Sequence, residues 1–213
     1  MPRPTEVDTK HGTLIIACGA LAREITALRR ANDWEGLDVC CLPPELHNRP
    51  ERIPPAVREK IRANRDRYHS IFIAYADCGT GGKLDAVLAE EGVERLPGAH
   101  CYEFFAGAPS FAELADAEPG TFYLTDFLTR HFERLVVRGL GIDRHPELKQ
   151  EYFRNYRRVV YLAQIRSAAL LDEARRIAAN LGLEFEHRHT GYGELGTHLA
   201  ALVAADRTPS WQP

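Results

Sequence analysis

No stretch of this sequence is apolar for long enough to cross a membrane. The most apolar run near the N-terminus, Leu14–Ala22 (LIIACGALA), has about half of the ~20 residues a bilayer needs. There is no basic excess either. Lys and Arg total 27 against 30 Asp and Glu, which leaves a net charge of -3 and a pI near 6.3. A protein that grips nucleic acid through its phosphates carries a surplus of positive charge, so nucleic acid is excluded as the expected partner. The five cysteines are odd in number and contain no CxxC pair. The opening MPRPTEVDTKHG mixes charges of both signs and has no apolar secretion segment. These absences exclude a disulfide framework as the first reading and lead to the expectation of a cytoplasmic protein. Low-complexity tracts and short repeats are also missing.

What remains is ordinary globular composition, 45% hydrophobic and 27% charged, over 213 residues. That length fits one α/β domain over residues 13–205, between polar tails at 1–12 and 206–213. Gly107, Pro109, Pro119 and Gly120 cluster where two halves of such a domain would meet, near 106–120.

Strand and helix signals alternate along the chain. TLIIA (13–17), LDVCCL (37–42), IFIAYA (71–76), RVVYLA (158–163) and LEFEHRH (183–189) read as strands, with shorter pieces near 93–96 and 121–124. The first and third are continuously apolar, as strands covered on both faces are. Helical spacing of apolar residues follows after residue 21, over 54–67, from 84, over 126–137, after Pro146, over 168–181 and over 193–204. This order predicts a Rossmann-like layered fold, a mostly parallel sheet with helices on both faces.

Three cysteines share one position in that pattern. Cys18, Cys78 and Cys101 each lie just past the carboxyl end of an expected strand, the edge at which open parallel sheets bind ligands. His100 adjoins Cys101, and His47 sits in the loop PPELHNRP after the second strand. Three thiols with one imidazole suit tetrahedral zinc or an iron–sulfur cluster. Free cysteine is more commonly a small buried hydrophobe, and that packing reading is preferred for Cys40 and Cys41 inside their strand. Cys18 and Cys78 also precede helices, where a thiol is acidified enough to act as a nucleophile. Gly79, Thr80, Gly81, Gly82 and Lys83 form a glycine-rich turn into a helix, a candidate cradle for an anionic small molecule. The turn completes neither a P-loop nor GxGxxG. Asp77 and Glu103 flank these segments as candidate catalytic acid or base, and Tyr75 and Tyr102 as candidate pocket walls. His187 and His189 share a strand face, where a solvated surface is favoured over chelation. No GxSxG elbow is present.

The segments LIIACGALAREI, LPPELHNRPERI, AYADCGTGGKLD, LPGAHCYEFFAG, GTFYLTDFLTRHFERLV, GLGIDRHPEL, NYRRVVYLAQ and TGYGEL resemble a family carried as a domain of unknown function. Its members look like companions of corrinoid-dependent methyltransferase systems. The resemblance implies one-carbon metabolism, with methyl transfer to or from a corrinoid or folate. It implies a corrinoid protein or methyltransferase of the same system as partner. On this expectation Cys18, Cys78 and Cys101 ligate the metal with His47 or His100, and the 79–83 loop holds an anionic group. The alternatives are a non-catalytic partner or chaperone of a corrinoid protein, and a metal-independent thiol transferase.

Overall fold

A computed structural model describes residues 11–206; the tails expected at 1–12 and 206–213 fall almost wholly outside them. The first sheet is built from β1 (His11–Cys18), β2 (Leu37–Leu42), β3 (Tyr68–Ala74) and β4 (Glu94–Arg95), all parallel, in the order β2-β1-β3-β4. Between them run α1 (Ala22–Ala31), α2 (Ile53–Asn64) and α3 (Lys83–Glu91). A second parallel sheet holds β5 (Thr121–Thr125), β6 (Arg158–Ala163) and β7 (Glu184–His189) in sequence order. Short helices α4 (Cys101–Ala106) and α5 (Ala108–Ala117) link the sheets. Helices α6 (Asp126–Phe132), α7 (Glu147–Phe153) and α8 (Ala168–Leu181) accompany the second one, and α9 (Gly193–Asp206) closes the described chain.

The architecture is the expected Rossmann-like α/β layering, divided between two sheets where the sequence pattern suggested one. The reason lies in β4. It pairs with β3 through Glu94 and Arg95 alone, too little edge for another strand to join. The chain then turns through α4 and α5 and starts β5 elsewhere, so the division falls in the 106–120 segment where glycine and proline cluster.

Burial explains the sequence pattern. β1 is central, and Leu14 through Ala17 are all buried, which is why the run is apolar throughout instead of alternating. β7 is an edge strand with exposed His187, Arg188 and His189, matching the solvated face expected of EFEHRH. In α2, Ile53, Val57 and Ile61 point inward at helical spacing. The first core takes Phe104 and Phe105 from α4 and Leu195 and Leu199 from α9. The last helix therefore crosses back onto the first half. That return depends on Gly193, at φ +49°, where a Cβ would stand 2.3 Å from the carbonyl oxygen of Phe104. The second core joins Leu124, Val159 and Tyr161 to Phe132, Phe153 and Ile177.

Candidate thiol–imidazole site

In the order β2-β1-β3 the chain leaves β1 toward one side and returns on the other. Such a switch opens a crevice beyond the carboxyl ends of the strands. Each strand of this sheet delivers one chemically capable side chain there. Cys18 is the last residue of β1. His47 lies in the 3-10 turn Pro44–Asn48 after β2, Cys78 in the turn after β3, and Cys101 at the first residue of α4 after β4.

The four side chains touch as a chain of contacts. Cys18 Sγ lies 3.8 Å from His47 Nδ1 and accepts a hydrogen bond from the Ala20 N–H at 3.3 Å. Cys78 interacts electrostatically with both His47 and Cys101, each shifting the protonation of the other. His47 Nδ1 is 3.1 Å from the Pro44 carbonyl oxygen. A carbonyl oxygen only accepts, so Nδ1 carries a proton and Nε2 is left as the nitrogen available to a ligand or metal. The Tyr75 ring stacks on the imidazole, centroids 6.2 Å apart and planes 14° from parallel. Cys18 is 2% and Cys78 9% exposed.

Proximity and burial together polarise the cluster. Hydrogen bonding from Cys101 pulls the Cys78 thiol down; burial opposes this and His47 assists it, giving about 5. Burial works to lower His47, but hydrogen bonds to Cys18 and Cys78 overturn that and hold the imidazole protonated, up to about 11. The bond to Cys78 raises Cys101 well above an ordinary thiol, and burial adds to it. Cys101 and His47 both favour the Cys78 thiolate, and Cys78 in turn favours the His47 imidazolium and the neutral Cys101 thiol. Burial, then Cys18, raises Tyr75 far above an ordinary phenol. Its hydroxyl is buried with no partner at normal hydrogen-bond geometry, and it faces the sulfurs. As placed, the described residues contain no group of three or more His, Cys, Asp or Glu side chains that could hold a metal ion. The donors are arranged for hydrogen bonding with one another.

Cys78 is held at φ +50°, a backbone region that residues with a Cβ rarely occupy. Hydrogen bonds from Asp77 N–H to Gly98 O (3.1 Å) and from Cys78 N–H to Ala99 O (2.9 Å) fix the turn. Strain of this kind concentrates where a side chain must be aimed.

Other candidates take different roles. Asp77 accepts from Thr80 Oγ1 (2.5 Å), Gly81 N–H (3.1 Å) and Gly82 N–H (2.9 Å). These bonds outweigh burial and hold its carboxyl low while they close the turn. The same bonds take up the Gly81 and Gly82 amides of the expected anion cradle, and Lys83 is exposed. Glu103 accepts from the Ala99 and His100 N–H groups as part of a capping box at α4. His100 supplies the other half of that box from an exposed position, which leaves His47 as the imidazole of the cluster. In edge strand β2, Cys40 packs partly against the core, whereas Cys41 is exposed where packing was expected.

A cavity of about 220 Å³ opens beside the cluster. His47, Asn48 and Cys101 line it from the first half, and Phe122, Leu128 and Leu135 from the second. Asn48 Nδ2 donates to the Leu135 carbonyl (3.1 Å), joining the two sides. Leu135 and Val136 belong to a π-helical turn, Glu133–Val137, that continues α6; such turns recur at functional sites. These walls escaped the sequence reading, since LTDFLTRHFERLVV shows only helical periodicity. A larger recess of about 480 Å³ between α7 and α8 carries a rim of Glu133, Lys149, Glu173 and Arg176 and no thiol or imidazole. The smaller cavity is the one in contact with the chemistry.

Fold and site together define an α/β protein with a partly buried thiol–imidazole cluster at the carboxyl edge of its first sheet. Residues 41–199 match DUF1638, a protein family of unknown function, and the chain belongs to that family. The matched segment contains His47, Cys78 and Cys101, while Cys18 lies ahead of it. No curated protein and no solved structure matches the chain.

Proposed function

We propose that Cys18, Cys78, Cys101 and His47 bind one thiophilic metal centre, zinc in the first place, and that this centre serves one-carbon transfer. The observation that carries the reading is that a thiol or an imidazole ends or follows each of the four strands of one sheet and that these side chains lie close enough to perturb one another's protonation. Three thiolates and an imidazole are a common tetrahedral zinc set. The proton of His47 Nδ1 directed at a backbone carbonyl is the outer-shell pattern that orients a ligating imidazole. Ligation requires that the thiols and Nε2 give up their protons to solvent and that the side chains turn onto a common point. The link to corrinoid or folate methyl transfer rests on the sequence resemblance, and a corrinoid protein is the partner it suggests. A Lewis-acidic ion in this cluster would polarise or ligate the group that transfers the methyl.

Elemental analysis and an absorption spectrum of the purified protein test the reading. Near-stoichiometric zinc, lost in Cys78→Ser, is expected; a visible chromophore with iron would indicate an iron–sulfur cluster in the same ligands. Metal-free protein of full stability, with one cysteine rapidly labelled by iodoacetamide at neutral pH, would replace it with the thiol transferase reading. The acidified Cys78 thiol is the specific observation that favours that second reading.

A further inference from the structure

The cavity beside the cluster has a chemical character of its own. It is a partly open recess where the two halves meet. Its walls include Tyr102, Phe127, Leu128 and Val136, and two members of the cluster, His47 and Cys101, reach its surface. No Asp, Glu, Lys or Arg is among the described residues that line it. Two charged residues adjoining the lining in sequence are engaged elsewhere: Arg134 pairs with Glu45, and Asp126 accepts from Tyr161 and the Gln164 and Ile165 amides. His47, the one basic side chain at the cavity surface, is already engaged with Cys18 Sγ and the Pro44 carbonyl. An ionic ligand entering these walls would therefore lose its hydration for little counter-charge, a cost of several kcal/mol. A neutral ligand would lose little, and its apolar body would be covered by the leucines and aromatics. The volume of about 220 Å³ lies below the roughly 300–1,000 Å³ of pockets for drug-sized molecules.

We infer that this cavity binds a small, uncharged, largely apolar molecule whose single polar head faces His47 and Cys101. This differs from the anionic ligand expected at the glycine loop, where Asp77 takes the Gly81 and Gly82 amides. It deepens the proposed function, on which it rests for the purpose of the polar head, by naming the ligand class that the site admits. Selection against charge is a property of the walls and does not require the metal.

The test uses three probes of matched size: n-butanol, butyrate and n-butylammonium, titrated into the full-length protein by saturation-transfer NMR. Butanol should bind at least tenfold more tightly than either ion. Leu128→Trp, which fills the cavity from the far wall, should weaken butanol binding at least tenfold and leave the metal content of the protein unchanged. Phe127→Ala, which widens the cavity, should shift the preference toward n-hexanol, and it keeps the inference falsifiable if the tryptophan variant fails to fold. Cys78 lies outside the walls, so Cys78→Ser should keep butanol binding even where metal is lost. Equal or tighter binding of an ion, or butanol binding indifferent to both wall variants, overturns the inference. Metal retained with no butanol bound overturns the cavity and leaves the proposed centre standing. Butanol bound with the same charge preference by metal-free wild type does the reverse.

Discussion

Cys78 concentrates the demands of the site on one residue. Its backbone is left-handed, its thiol is acidified, and its neighbours on both sides are tied into turns. Glycine tolerates φ +50° without cost, whereas a side chain there stores on the order of 1 kcal/mol. Cys78→Gly and Cys78→Ala both remove the sulfur, so their difference isolates the strain. In chemical denaturation the glycine variant should be more stable than the alanine variant by about 1 kcal/mol. The cysteine was visible in the sequence, but its conformation was not, because nothing in DCGTGG says which of its residues are left-handed. His47 and His100 show the same limit. Both stand beside expected strand ends, and only the capping box at α4 separates the structural histidine from the one in the cluster. Glu24 is a further residue-scale finding with no sequence signal beyond its place in a helix. It is 4% exposed, its Oε2 has no partner, and burial followed by the charge of Asp126 raises its carboxyl, against the pull of a backbone hydrogen bond, Arg130 and Arg23. A raised carboxyl favours the neutral form in the folded state. Stability is therefore full below the unfolded value of about 4.5 and declines as the pH rises through the folded one. Glu24→Gln should raise the unfolding temperature at pH 8 and leave it nearly unchanged at pH 4, as thermal melts across that range would show.

At the scale of elements, the turns and caps carry more of the architecture than the sequence motifs suggested. Asp77 and Glu103, read as acid and base, each satisfy two backbone N–H groups at the start of a helical segment. Replacing either by alanine should cost about 1 kcal/mol, the usual loss of a capping side chain, and both variants should keep the metal content of the wild type. Loss of metal in Asp77→Ala with the fold intact would return that residue to the site. Gly193 is more demanding. A Cβ there would collide with two backbone carbonyls of α4, so Gly193→Ala should destabilise by about 2–4 kcal/mol and loosen α9, as hydrogen exchange in that helix would report. Most elements were legible: β2, β6 and α8 begin and end where their apolar patterns do. The helix expected over 126–137 is continuous, yet its second half is wound as a π-turn. Hydrophobic spacing cannot tell one helical winding from the other over so few residues.

For the whole molecule, the positions of Cys18, His47, Cys78 and Cys101 after successive strands were legible in the β-then-α pattern, whereas the strand order that sets those strands side by side was not. Nor was the division into two sheets, because pairing is decided by how much edge β4 presents. The cavity escaped for the same reason: its two walls belong to segments far apart in sequence that meet only after both halves have formed. The donors of the cluster are likewise dispersed, one behind each strand of the first sheet. An ion held by all four would tie together segments that the backbone leaves connected by long loops. It would stabilise the folded state by binding to that state alone. Such a tie forms only after the last of the four strands has docked, so occupancy would mark completion of the first half. Removing the ion with a chelator should then speed hydrogen exchange across β1, β2 and β3 and leave β5 and β6, which contribute no ligand, with nearly their original protection.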